Sequence, residues 1–292
     1  MNLILLRTFL CVIDSGNLSR ASETLNVSQS TVTARIDALE SAIGQKLLVR
    51  HKSGAKLTVT GHKFVRHARS MLTLWRQTQR DIALPRGYSD VCAFACTDML
   101  WEGGGEVVVE LIRAAEPTIA IEVVCGSDVD TAVRLSSGTA DLALLYEPPR
   151  GEMLVAEAVF EDQFAQFSTV SREVLRWDPS YVYVNLGERF RLFHADAYPV
   201  EENATVTYNN PAHALTHILR EGGSAYLPKR LVPAMDAIGR VHEVAGAPQL
   251  GQRVWFGAQR ERVAIWPWVD PLCSAVKQRL TGLNEFSRRG VD

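Results

Sequence analysis

Apolar residues recur at helical spacing in three short blocks at the start of this chain. Leu6, Phe9, Leu10 and Ile13 make one stripe that stops at Gly16. A second helix, with Ser19 able to cap it, ends near Leu25, and Asn26-Val27 makes the turn. A third, capped by Ser28, carries Val32, Ile36, Leu39 and Ile43 and is ended by Gly44. Leu47-Leu48-Val49 and Lys56-Leu57-Thr58 then flank a basic tip that contains Gly54, which predicts a two-stranded wing. Residues 7–69 thus read as one winged-helix module. Its third helix presents polar side chains opposite the apolar stripe, as a helix entering a base-lined groove requires.

From about Thr60 the pattern changes. Phe64, Ala68, Met71, Trp75, Thr78 and Ile82 alternate steps of four and three, a heptad seam ended by Pro85. The seam predicts a dimerising helix, with Phe64, Ala68, Met71, Trp75 and Ile82 as its contact residues, the alternative being one amphipathic helix that lies on its own domain.

Beyond Arg86-Gly87 strands and helices alternate. Strands are expected at 92–96, 119–124 and 140–146, with a helix carrying Val107, Val108, Leu111 and Ile112 and another over 129–135. Glu147-Pro148-Pro149 interrupts the series. A second set follows, with strands at 155–167, 181–184 and 225–227 and a helix over 212–220. A strand at 254–258 could return to the first set, with a helix over 270–280 packing there. Alternation of this kind predicts an α/β fold around a parallel sheet. Gly103-Gly104-Gly105 is out of place in the first turns of a helix, where each Gly costs about 1 kcal/mol.

Charge sharpens the division. Residues 1–70 hold ten Lys/Arg against four Asp/Glu, leaving 21 against 29 for the rest, so a +6 head precedes a −8 body. The basic end suits phosphate contact and the acidic body avoids binding DNA everywhere. At 292 residues and 47% hydrophobic content the chain can bury two cores. No run approaches the ~20 apolar residues of a membrane span, and no secretory signal is expected. The five cysteines lack zinc spacing, and their odd number points to free thiols in a reducing cytoplasm. His213 and His217 share a helical face without a third ligand, so neither a metal nor a cofactor is expected.

The block from Leu6 to Gly61 resembles the LysR-type transcriptional regulators without a gap, through Ser28-Gln29-Ser30-Thr31-Val32-Thr33, Leu39-Glu40, Gly44, Leu47, Arg50 and Leu57-Thr58-Val59-Thr60-Gly61. Asp141-Leu-Ala and Gly222-Gly-Ser-Ala-Tyr-Leu-Pro228 extend the resemblance more loosely. Arg50-His51 and Leu74-Trp75 resemble the branch containing flagellar-operon repressors. Departures are Ser22 for a usual Ala, Leu48 for a usual Phe, and Ala34 where Arg is frequent. The resemblance implies a homotetramer built as a dimer of dimers, and a C-terminal two-lobed, periplasmic-binding-protein-like α/β domain that senses a small molecule. The expected division is a winged helix-turn-helix domain over 1–59, a linker helix over 60–87 and an effector domain over 88–292. Lobe I would take about 88–147 and 259–292, and lobe II about 148–258.

Gln29, at the tip of the third helix, can read adenine through two bonds, and Thr33 can meet a thymine methyl or a base acceptor. Ser28 and Ser30 suit a phosphate near the helix N-terminus, with Ser28 equally suited to be a plain cap; Thr31 belongs to the same turn. Arg35 sits to the side, where phosphate contact is expected. Arg50, His51, Lys52 and Lys56 would grip the flanking backbone or minor groove. In the C-terminal domain, ligands are expected where strands end facing helix N-termini. The candidates are Thr97-Asp98, Gly126-Ser127-Asp128 and Asn185, with Phe190, Tyr208 and Tyr146-Glu147 lining the cleft. The resemblance implies effector hydrogen-bond donors at Thr97 and Ser127. Asp98 and Asp128 weigh against an anion and toward an amine-bearing, neutral or absent effector.

The expected partners are therefore duplex DNA, a small molecule of unknown identity, further copies of this chain and RNA polymerase, with no membrane. Other readings are an effector-independent or architectural DNA protein, a redox sensor through Cys96 and Cys125, a solute-binding transport component, or an enzyme. No Gly-rich phosphate loop, nucleophile elbow or convergent acid/base set supports the last.

Overall fold

The computed structural model describes residues 2–51, 54–82, 84, 86–174, 178–198, 204–236 and 238–289, with the side chains of 50, 51, 76, 77, 80, 81, 234 and 283–289 outside that description. Its contacts divide the chain into two units, Met1–Leu84 with Ser137–Thr139, and Pro85–Ser136 with Ala140–Asp292.

In the first unit, α1 (Leu3–Ser15) is capped by Asn2 and closed by Gly16 in the left-handed conformation. Helix α2 (Leu18–Thr24) is capped by Asn17, whose side chain accepts from the Arg20 N–H, rather than by Ser19. Helix α3 (Gln29–Ile43) begins at the Ser28 cap and ends at Gly44, as its sequence predicts. Strands β1 (Leu48–His51) and β2 (Gly54–Leu57) form the wing. Leu6, Phe9, Val12, Val32, Ile36 and Leu39 fill a common core with Leu47 and Leu48.

Helix α4 (Val59–Ile82) departs from expectation in its first half. Phe64, Ala68 and Met71 pack into the winged-helix core, and the Phe64 ring lies 5.5 Å from that of Phe9. Three of the five residues assigned to a dimer seam are thus engaged by their own unit. The physical reason is that the three short helices leave one side of the core open, and α4 closes it. Trp75 and Ile82 stay on the surface, 42% and 81% exposed.

The second unit contains, in chain order, β3 (Asp90–Thr97), α5 (Glu106–Ala115), β4 (Ile119–Gly126), α6 (Asp128–Ser136), β5 (Leu142–Leu145), β6 (Leu154–Ser168), β7 (Tyr181–Val184), α7 (Glu188–Ala197) and β8 (Val206–Tyr208). It continues through α8 (Pro211–Glu221), β9 (Ser224–Pro228), α9 (Leu231–Met235), β10 (His242–Glu243), β11 (Leu250–Gln259), α10 (Arg260–Ile265) and α11 (Val269–Arg289). The strands run in the order β4-β3-β5-β11-β6-β9-β7-β8, with β10 beside β6. The two ends are parallel, as the alternation predicts. The long strands β6 and β11 pair antiparallel with each other and with their neighbours, so they join the two parallel halves into a mixed sheet.

The Gly103–Gly105 puzzle resolves into a kinked turn. Glu102 is extended and Gly103 has φ 72°, so the helix proper starts only at Glu106. A Cβ on Gly105 would meet the Trp101 ring at 2.6 Å and Cys96 Sγ at 2.9 Å, so a larger residue would force the turn off β3.

Candidate DNA-reading face and sensor junction

The N-terminus of α3 is built by its cap. Ser28 Oγ accepts from the Thr31 N–H at 3.2 Å and lies 2.8 Å from the hydroxyls of both Ser30 and Thr31. This turns the Ser28 and Thr31 hydroxyls toward the helix end, while Gln29, Ser30 and Ala34 are exposed and Thr33 is half-buried. Gln29 has no partner among the described hydrogen bonds of the unit, which leaves both donor and acceptor of its amide available to a base edge. Arg35 is drawn back onto α1, its guanidinium 3.4 Å from Thr8 Oγ1.

The wing is fixed to α3 by a buried carboxylate that sequence reading placed only in a motif. Glu40 Oε1 accepts the N–H groups of Leu47 at 2.8 Å and Leu48 at 3.1 Å, and Lys46 bonds Oε2 at 2.6 Å. Burial pushes this carboxyl up, but the bonds from Lys46, Leu48 and Leu47 outweigh it and leave Glu40 below the usual range. At the other end Thr58 caps α4 through the Gly61 N–H, and a Cβ at Gly61 would lie 2.1 Å from the Leu47 carbonyl oxygen. The Leu-Thr-Val-Thr-Gly run is therefore a steric and capping requirement. Lys56 is exposed on β2; Arg50 and His51 lie on β1, and Lys52 falls outside the described residues.

In the second unit, one predicted cluster assembles and another does not. The carboxylate of Asp128, first residue of α6, accepts from the Thr97 hydroxyl at 2.8 Å and from the N–H groups of Tyr146 at 2.7 Å and Glu147 at 3.0 Å. Three segments, the ends of β3 and β5 and the start of α6, thus converge on one oxygen pair. Ser127 is the neighbouring cap, bonded to Asp130 at 2.7 Å, and Gly126 and the exposed Asp98 flank the set.

Phe190 does not line a cleft. It is fully buried, packed 5.3 Å from Tyr226 and 6.0 Å from Tyr183, because it is the inward residue of α7, a helix the sequence pattern did not reveal. Asn185 accepts from the Gly187 N–H at 3.3 Å, and the Tyr208 hydroxyl lies 3.2 Å from His217 Nδ1, so both are occupied within their own half of the sheet.

The residues sequence reading missed are Arg230 and Asp162. Arg230, just beyond β9, is 4% exposed and donates through Nε to Asp162 at 3.1 Å. The same guanidinium bonds the carbonyls of Glu102 and Met99, in the kinked turn after β3. The Tyr146 hydroxyl donates to the same Asp162 carboxylate at 2.7 Å. Burial would lower Arg230, but Asp162 and Tyr146 more than offset it and hold the guanidinium charged. One cation therefore ties strand β6 to the turn after β3 at this junction. Beside it a groove of about 350 Å³ is lined by Tyr146, Glu147, Pro148, Glu161, Arg189, Gln252, Arg253 and Trp255. Arg230 carried no signal of its own, since it follows a Leu-Pro strand end that reads as an ordinary loop.

Cys96 and Cys125 are direct neighbours in the β3–β4 register. Burial pushes both thiols up, Cys96 well above the usual range, and the carboxylates of Asp98 and Glu102 add to it. A thiol poised to ionise would need the opposite surroundings.

Residues 3–62 match the family described as bacterial regulatory helix-turn-helix protein, lysR family. This segment is a LysR-family helix-turn-helix domain. The chain is 25% identical over 240 residues to the HTH-type transcriptional regulator HdfR of Yersinia enterocolitica, covering 78% of this chain and 82% of the relative. In fold the chain is similar to full-length CbnR complexed with its target DNA (TM-score 0.53, 18% identity, covering 96% of this chain and all of that one). It is likewise similar to full-length LysG from Corynebacterium glutamicum with bound effector Arg (TM-score 0.52, 20% identity, covering 96% and 98%). The α/β architecture behind a LysR-family head is thus that of full-length LysR regulators.

Proposed function

We propose that this protein is a sequence-specific DNA-binding transcriptional regulator whose activity responds to a small molecule held at the sensor junction. The observation that carries the reading is the exposed N-terminal face of α3. Its amide and hydroxyl side chains are exposed on a basic winged-helix unit of the LysR family. Gln29 and Thr33 read bases in the major groove; Ser30, Arg35, Arg50, His51, Lys52 and Lys56 meet phosphate or the minor groove. The exposed outer stretch of α4, with Trp75 and Ile82, pairs two copies, and further association gives the dimer of dimers. The effector binds where β3, β4 and β5 end, near Thr97, Asp128 and Tyr146; that LysG, a protein of similar fold, carries a bound effector Arg supports a small-molecule role for this domain. A regulator of this kind acts in the cytoplasm, has duplex DNA and RNA polymerase as partners and carries out no chemical turnover. No helix among the described residues is long and apolar enough to cross a membrane.

The deciding experiment is recovery and sequencing of genomic fragments bound by the full-length protein, followed by competition of one recovered duplex against random DNA. Preferential retention of one sequence class, and a dimer or tetramer in solution, are the expected results. Equal retention of all sequences would exclude a sequence-specific regulator.

A further inference from the structure

The end of β3 and the end of β5 present three hydrogen-bond donors that converge at the start of α6: the Thr97 hydroxyl and the backbone N–H groups of Tyr146 and Glu147. Donors converging in this way, in front of the nine-residue helix α6, make a cradle suited to a small carboxylate. The cradle is already filled by a side chain, since all three donors are taken by the two oxygens of Asp128. We propose that Asp128 is the specificity-determining residue of the sensor junction, an internal anion that occupies the carboxylate position and so excludes anionic effectors from it. The inference rests on the reading of this junction as the effector site.

Two further observations fit an internal ligand better than an ordinary cap. A helix cap accepts from its own first turn, and α6 already has such a cap in Ser127, whose hydroxyl accepts the Asp130 N–H at 3.1 Å. Asp128 instead reaches away from its helix to two other segments. Two buried acceptors are also left over at the junction. Asp162 is completely buried, both of its described bonds go to Oδ2, and Oδ1 has no partner. Gln252, its direct neighbour in the β6–β11 register, has an unpartnered Oε1. With the three cradle donors consumed and these two buried acceptors unfilled, the cradle favours a molecule that brings N–H groups, an amine or amide, over one that brings a carboxylate.

Chemical rescue of the full-length protein tests this, with no DNA present, so that failure of the regulator reading leaves the result interpretable. Asp128→Ala should lower the thermal midpoint by roughly 4 °C or more, because three bonds to a charged acceptor are lost. Sodium formate should then raise that midpoint saturably relative to sodium chloride at equal ionic strength, while the wild-type midpoint does not distinguish the two salts. Asp128→Ser, which retains one acceptor, serves as the second variant should the alanine protein not fold, and it should show the same selective gain. If formate stabilises the wild type as strongly as the variants, the position is open to anions and the proposal is overturned. If neither variant gains more from formate than from chloride, the donors are not a carboxylate cradle, and it is overturned equally.

Discussion

Gln29 and Glu40 show how differently two polar residues of one helix serve a DNA reader. Gln29 is exposed and free to pair with a base, so Gln29→Ala should weaken binding by about 1–3 kcal/mol at one base position and relax preference there. Equal weakening on every sequence, measured with single-base variants of a recovered site, would remove it from base readout. Glu40 is buried and bonded within its own unit. Its carboxylate holds the start of the wing to α3, and Glu40→Gln should destabilise the unit by about 1 kcal/mol at neutral pH. The sign of its pH dependence follows from a pKa lower in the folded than in the unfolded state. Its contribution is complete above the ordinary value of 4.5 and is lost as pH falls through the depressed folded value. Denaturant titrations at pH 7 and at progressively lower pH should therefore show the wild type and the variant converging in acid. A constant gap would mean that charge plays no part.

At the scale of elements, the kinked turn of residues 98–105 and the strand β6 are held together by Arg230. Removing the cation alone, as Arg230→Met, should cost about 3–5 kcal/mol, because it leaves Asp162 buried and unpaired. Adding Asp162→Leu should restore much of that stability without restoring the bonds to Met99 and Glu102. Amide exchange in residues 98–105 should then stay fast in the double variant although its stability has recovered. Slow exchange there would mean that the turn holds itself and Arg230 is only an ion-pair partner. The three glycines belong to the same element: read as a helix start they are a defect, whereas in the kinked turn Gly103 supplies a positive φ and Gly105 makes room for Trp101 and Cys96. Linear pattern could not reveal this, because the partner is more than 120 positions away. Helix α7 was missed for a related reason, since its inward residue Phe190 packs into an aromatic cluster with His194 and Tyr226 instead of forming a long apolar stripe. The heptad seam on α4 was legible as a pattern, but its first half serves an intramolecular core, which a seam alone cannot distinguish from a dimer contact.

For the whole molecule, the dominant long-range property is the opposition of a basic head and an acidic body. Binding should weaken steeply with salt, and Lys56→Ala should reduce the slope of log affinity against log salt by about 1 if that side chain meets one phosphate. An unchanged slope, read from titrations of one duplex at several salt concentrations, would take β2 out of the contact surface. The two units also have separate hydrophobic cores, so a fragment ending at Leu84 should keep the helical content of its own unit.

The N-terminal unit was determined almost completely by local sequence: apolar periodicity sets α1 to α3, Gly16, Gly44 and Ser28 set their ends, and the recognition face is what remains. Local signals suffice there because caps, stripes and turns act over a few residues. The alternation of strands and helices likewise announced an α/β domain. Only the tertiary structure decided which residues meet at the sensor junction, because the donors on Thr97, Tyr146 and Glu147 and the acceptors around Arg230 come from segments far apart in the chain. Charge compensation between such segments depends on three-dimensional proximity, and no one-dimensional pattern encodes it.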